Sequence, residues 1–189
     1  VVVSDASGTI SRLVEKPTHF VSNQAIVGIY WIRESALLKE SLEEILANNV
    51  RTSGEFQLTD GLARMLEKGV TFKTAAIDEW LDCGKPETLL ETNQRLLKEQ
   101  TKNDASQLVN CKLIPPYYIG EHVRLRNCVI GPNASIYPNA EVSNSEISDS
   151  VIGHGTHIDD SQLTRSLVGD HCTVRNYKGS LNIGDYSEV

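Results

Sequence analysis

The chain has 189 residues, 40% apolar and 23% charged, enough for one large globular domain or two small ones. Its net charge of -7 argues against a general nucleic-acid surface, although a triphosphate can be met by a metal and a few local cations. The sequence holds no apolar run of about 18 residues, which argues against a membrane-spanning helix. Cys83, Cys111, Cys128 and Cys172 form no Cys-x-x-Cys pair, which points to reduced thiols in a cytoplasmic protein rather than a zinc knuckle or disulfide framework.

Val1-Val2-Val3 begins in a β-like run and Asp5-Ala6-Ser7-Gly8 reads as a hairpin turn. A chain starting inside a strand is expected to be a fragment of a longer protein. Residues 9–15 form the second strand, which Pro17 stops because proline donates nothing to a ladder and restricts the residue before it. Glu15-Lys16 therefore sits at a strand end. Residues 24–32 hold a continuous apolar run, as expected of a strand covered on both faces.

Leu37, Leu38, Leu42, Ile45 and Leu46 fall on a helical stripe that ends near Asn48-Asn49. Residues 53–60 form a loop into a second helix, with Thr59 as its N-cap, Asp60 favouring the positive end, and Leu62, Ala63 and Leu66 on the buried face. Lys68-Gly69 closes that helix. Residues 71–77 read as a strand, and Pro86 suits the first turn of a helix carrying Leu89, Leu90, Asn93, Leu96 and Leu97 to about Gln100. Asp82 lies at the carboxyl end of this strand, where open α/β sheets bind ligands, so it is a candidate metal or substrate carboxylate. The alternative is an aspartate that only makes a turn. Residues 101–112 are polar and mixed, which marks a linker.

Beyond Pro115-Pro116 aliphatic residues recur every five or six positions: Ile119, Leu125, Ile130, Ile136, Val142, Ile147, Ile152, Ile158, Leu163, Val168 and Val174. A helix needs spacings of three and four. Three short strands per turn, each with one inward aliphatic, give instead a triangular parallel β-helix, with Asn, Asp, Ser and Gly at its corners. An antiparallel sandwich is the competing architecture, and the persistence of the register argues against it. Residues 175–181 break the spacing, so a bulge or small loop is expected there.

Taken together, Val14-Glu15-Lys16-Pro17, Ser22-Asn23, Gly28-Ile29-Tyr30, Gly54-Glu55 with Leu58-Thr59-Asp60, and Trp80-Leu81-Asp82-Cys83-Gly84 resemble the second half of a sugar-1-phosphate nucleotidyltransferase of the glucose-1-phosphate thymidylyltransferase type. The resemblance covers about residues 1–100, and the short-period ladder after it is similar to the family's C-terminal hexapeptide-repeat, left-handed β-helix. The expected organisation is thus an α/β, incomplete nucleotidyltransferase domain (1–100), a linker (101–112) and an all-β left-handed parallel β-helix (113–189).

The resemblance implies transfer of a nucleotidyl group from a nucleoside triphosphate (dTTP or UTP) to a sugar 1-phosphate such as glucose 1-phosphate, releasing pyrophosphate. Lys16 then holds the sugar phosphate, Glu15 accepts sugar hydroxyls, the main chain near Ile26 and Gly28 lines the sugar pocket, and Asp82 is the metal carboxylate for Mg2+. Members of this type often carry arginine directly before Gly-Glu, where this chain has Ser53, with Arg51 two residues earlier. The family's glycine-rich nucleotide loop has no counterpart in the chain, because Gly153-His154-Gly155 lies among β-helix rungs. The chain alone is therefore expected to be inactive.

Two alternatives belong to other classes. One is a hexapeptide-repeat acyltransferase with His154, His157 or His171 as general base. The other is a non-catalytic assembly or regulatory module; in either case β-helix faces are expected to make a homo-oligomer.

Overall fold

Asp5 closes the first turn. In the computed structural model, which describes residues 1–99 and 101–189, its Oδ1 accepts the Ser7 N–H at 2.8 Å, the Ser7 hydroxyl at 2.7 Å and the Thr9 N–H at 3.0 Å. These bonds, the Ser7 hydroxyl foremost, hold the Asp5 carboxyl below its usual range. The turn joins β1 (Val2–Ser4) to β2 (Ile10–Leu13), antiparallel with Val2 opposite Leu13. This hairpin belongs to the first of two units, Val1–Trp80, and the second is Leu81–Val189.

In the first unit α1 (Ser35–Ala47) packs on α2 (Leu58–Glu67), burying Ile45, Leu62 and Met65. The helices approach closely at Gly61, where a Cβ would stand 2.6 Å from Leu42 Cδ2. Lys68 Nζ reaches both Glu40 and Glu44 at 2.7 Å, linking the same two helices. The ends near Asn48 and at Lys68-Gly69 fall where the sequence puts them.

The start of α2 does not. Its N-cap is Gln57, with no side-chain cap bond, and Thr59 lies inside the first turn with its hydroxyl committed elsewhere. Two expected strands also differ. Within residues 24–32 only Gln24 pairs, with Val2, and Ile29 and Trp31 are 78% and 93% exposed, so this run is not covered on both faces in the unit. Within residues 71–77 only the stretch around Lys73 pairs, with Gly8, Thr9 and Ile10. Hydrophobic content favours a strand, but a strand exists only where a neighbouring backbone completes its hydrogen bonds. Among the described residues that backbone is present only at these points, so Asp82 does not follow a formed strand.

The second unit begins with α3 (Pro86–Leu97), with Pro86 in its first turn as expected. Gln100, the anticipated end of this helix, lies outside the described residues. Leu90 and Leu97 are buried, and a polar seam fixes the helix to the coils beyond it. The Ser135 hydroxyl donates to Asn93 Oδ1 at 2.6 Å, while Gln94 Nε2 and Asn133 Nδ2 both donate to Asp149 Oδ1, at 3.0 and 2.8 Å.

Those coils form a parallel β-helix with three sheets of five, five and six strands. Its register stacks like on like: Leu125 pairs with Val142 and Val142 with Ile158, Ile130 with Ile147 and Ile147 with Leu163, and Ile136 with Ile152. Every rung aliphatic from Ile119 to Val174 is 3% exposed or less, and each such burial is worth about 1.5–3 kcal/mol. The corners take left-handed φ at Asn110, Asn127, Asn144 and Asn176, residues that bear this conformation better than others. The first two of these asparagines also donate amide to amide, Asn110 to Asn127 at 3.1 Å and Asn127 to Asn144 at 3.0 Å.

The ladder starts before residue 113. Lys102–Asn103 and Gln107–Val109, in the stretch read as linker, and Lys112–Leu113, at its boundary, are strands paired to the next coil. Near the other end, residues 175–181 keep the ladder instead of looping out. Lys178 pairs with Gln162, and Gly179 takes the rung opposite Leu163. The irregular spacing there is absorbed by a glycine rung.

Candidate functional site

Glu15 and Lys16 follow β2 after Val14, and Lys16 carries an unusual backbone. Its φ is 39°, in a region that costs a non-glycine residue about 1–3 kcal/mol and that a following proline further disfavours. Such a conformation persists only when its surroundings enforce it. Contacts flank it on both sides: Glu15 Oε2 accepts the Thr59 hydroxyl at 2.8 Å, and Lys16 Nζ stands 3.4 Å from Glu55 Oε2 in an exposed pair.

The loop that supplies these partners is itself locked. Thr52 and Glu55 exchange backbone bonds at 3.0 and 3.2 Å, and the Thr52 hydroxyl donates to Asp60 Oδ2 at 2.8 Å. Gln57 Nε2 donates to the same Glu55 Oε2 that faces Lys16, at 3.0 Å. Arg51 donates from Nε to Asn49 Oδ1 at 2.9 Å and from Nη1 to the Gly54 carbonyl at 3.0 Å, with its guanidinium 4.1 Å from the Phe56 ring centre. Two of the five N–H donors of that arginine thus serve its own loop.

Beside β2 lies a cavity of about 480 Å³, lined by Leu13, Ile26, Tyr30, Leu62 and Phe72 among others. Gly28, with φ 82°, sits between Val27 and Ile29, which also line it. Partial burial and the nearby Glu15 carboxylate together push the Tyr30 hydroxyl above its ordinary pKa, burial contributing more. Glu15, Lys16, Ile26 and Gly28 thus fall in one unit.

Asp82 belongs to the other unit. Its Oδ1 accepts the Gly84 N–H at 2.9 Å and its carbonyl accepts the Thr92 hydroxyl at 2.9 Å, the contacts of a turn aspartate leading into α3. The Lys85 N–H is met by Thr88 Oγ1 at 3.3 Å. Among the described residues no group of three or more His, Cys, Asp or Glu is placed to hold a metal.

The histidines of the acyl-transfer alternative are engaged in the β-helix. His154 and His171 stand edge to face at 5.3 Å, and His171 stacks on Tyr186 at 5.2 Å. His157 Nε2 is 3.4 Å from Glu141, which also pairs with Arg124. Sequence reasoning missed Thr59 and Glu55 as partners of the acid–lysine pair. Both stand in quoted motifs, but helix-capping rules assigned Thr59 to its own helix.

The chain thus comprises an α/β unit with an acid–lysine pair after its hairpin and, succeeding it along the chain, a β-helix. The chain belongs to the nucleotidyl transferase family, whose family model matches residues 1–99. It is 26% identical to a glucose-1-phosphate thymidylyltransferase of Streptomyces griseus over 97% of this chain and 57% of the relative. It is 27% identical to a glucose-1-phosphate adenylyltransferase of Desulfitobacterium hafniense over 100% of the chain and 50% of the relative. It is also 28% identical to the bifunctional protein GlmU of Carboxydothermus hydrogenoformans, over 100% and 47%. The chain spans about half the length of the curated relatives it matches.

Proposed function

We propose that residues 1–99 form the sugar-phosphate side of a sugar-1-phosphate nucleotidyltransferase using dTTP or UTP and a hexose 1-phosphate such as glucose 1-phosphate. The observation that carries this reading is the Glu15-Lys16 pair, held by Thr59 and Glu55 next to β2. A phosphate oxygen of the sugar 1-phosphate attacks the α-phosphorus, a P–O bond forms, the α–β anhydride breaks and pyrophosphate departs. This chemistry needs alignment and charge neutralisation more than a covalent nucleophile. Lys16 neutralises the attacking phosphate and aligns it, Glu15 accepts a sugar hydroxyl, and the main chain at Ile26 and Gly28 walls the sugar.

The half-buried Asp82 carboxylate suits one ligand position of a magnesium ion, which takes one or two carboxylates and is otherwise satisfied by phosphates and water. When bound, the ion supplies charge stabilisation at the phosphates. Asp82 alone does not make such a site, and among the described residues no glycine-rich loop stands between a strand and a helix. The β-helix assembles copies of the protein through its flat faces, and the place of action is the cytoplasm, where scattered cysteines such as these stay reduced; among the described residues no helix is long and apolar enough to cross a membrane.

Pyrophosphate release from dTTP or UTP with glucose 1-phosphate tests the reading. The 189-residue chain alone is expected to release none, and the same chain joined to a family nucleotide-binding segment is expected to release it in proportion to sugar 1-phosphate consumed. Release by the chain alone would show that its own residues complete the site. A folded joined protein that binds the nucleotide yet never turns over would remove the assignment.

A further inference from the structure

Thr59 is 5% exposed and sits in the first turn of α2, where a threonine hydroxyl ordinarily serves its own helix. Instead it donates to Glu15 Oε2 at 2.8 Å, across 44 residues of sequence. A hydroxyl has one proton to give. Giving it to Oε2 ties that oxygen of the Glu15 carboxylate to α2 and leaves the acceptor positions of Oε1 for a ligand. We infer that Thr59 is a positioning residue of the sugar site, acting through Glu15 and touching no substrate itself; this rests on the assignment of Glu15 and Lys16 to a sugar phosphate.

The platform behind Thr59 is rigid. Leu62 and Met65, one turn and nearly two turns further along α2, are buried, and Gly61 packs tightly on Leu42 of α1. The Thr52–Asp60 bond at 2.8 Å ties the preceding loop to the same first turn. Threonine therefore transmits the position of a packed helix to a carboxylate at the end of β2. The neighbouring Lys16 has an exposed partner, Glu55, at 3.4 Å, so the shorter, part-buried Thr59 bond is the firmer of the two restraints. A purely structural role would make loss of the hydroxyl lower stability. A positioning role makes it lower ligand affinity at nearly constant stability.

The test compares the wild-type chain with Thr59→Val, which keeps the shape and removes the proton, and Thr59→Ser, which keeps the proton. Two readouts are taken on each folded protein: calorimetric affinity for α-D-glucose 1-phosphate, and the ¹³C signal of the Glu15 carboxyl. The valine variant is expected to bind about tenfold more weakly, the range of one lost charge-assisted hydrogen bond, and to displace the Glu15 signal. The serine variant is expected to restore both, with melting temperatures close to wild type throughout. Wild-type binding that the valine variant matches would overturn the positioning role and leave the sugar-phosphate reading standing. Absence of binding even by wild type would count against that reading for this chain, and the Glu15 signal would still decide the inference: displaced by valine and restored by serine supports it, unmoved by valine overturns it.

Discussion

Lys16→Gly is expected to make the first unit more stable while removing its recognition of phosphate. The φ of 39° at Lys16 costs an L-residue about 1–2 kcal/mol that glycine does not bear. Glycine gives back part of this through the freedom of its unfolded chain, about 0.4–1 kcal/mol. The ion pair lost with Glu55 is 3.4 Å long, with side chains 59% and 66% exposed, and so adds little to either side. The net gain is about 0.5–1 kcal/mol, a rise of a few degrees in melting temperature for a unit of this size. Lys16→Ala retains the backbone cost and gains nothing, so the order Gly above wild type, with Ala at or below it, isolates the strain. Both variants lack the ammonium and are expected to bind sugar 1-phosphate at least about thirtyfold more weakly, as for removal of a charge-assisted contact. A glycine variant less stable than wild type would mean that Lys16 is not strained.

The second large effect is expected at Gly131. Its φ is 99°, and a Cβ there would overlap the carbonyl oxygen of Ile114 in the preceding coil. Its N–H bonds the Ile147 carbonyl of the next coil at 2.8 Å, so the backbone cannot move away from one neighbour without leaving the other. Gly131→Ala is expected to cost more than about 3 kcal/mol, combining strain with lost ladder bonds. Amide exchange should rise first at Ile114 and Ile130. Gly184→Ala is the matched control, since nothing lies within 4 Å of its added methyl and its φ is outside the left-handed range; it should change stability by less than about 0.5 kcal/mol. Equal stability of the two variants would contradict the close stacking of coils.

The β-helix was legible because its period records its geometry directly. One aliphatic per rung, five or six residues apart, is all that a coil needs, and Ile119, Ile136, Ile152 and their fellows are buried as the spacing requires. The same economy hid the first coil. Residues 101–112 look like linker by composition, yet Leu108 within them and Leu113 just after them suffice to continue two of the columns, those of Leu125 and Ile130.

The first unit was harder to read because its strands depend on distant partners. Residues 25–32 have the composition of a buried strand, and composition does not say which backbone will pair with it. Thr59 illustrates the same limit at the level of one side chain, where a tertiary acceptor, Glu15, outcompeted the local cap. Glu15 and Lys16 were found by resemblance of motifs and not by physical pattern. Nothing in the sequence foretold the left-handed backbone at Lys16, because a lysine before a proline is ordinarily extended. Asp82 lay within reach of both readings, and its bond to the Gly84 N–H shows that it makes a turn whatever else it binds.

The most direct test of the central claim is a titration of the isotope-labelled 189-residue chain with α-D-glucose 1-phosphate, monitored residue by residue by NMR, with glucose and inorganic phosphate as separate controls. Saturable shifts centred on Glu15, Lys16, Ile26 and Gly28, stronger with the sugar phosphate than with either part, are predicted. No saturable shift in the first unit, or shifts confined to the β-helix around His154 and His171, would contradict the assignment of the sugar-phosphate site.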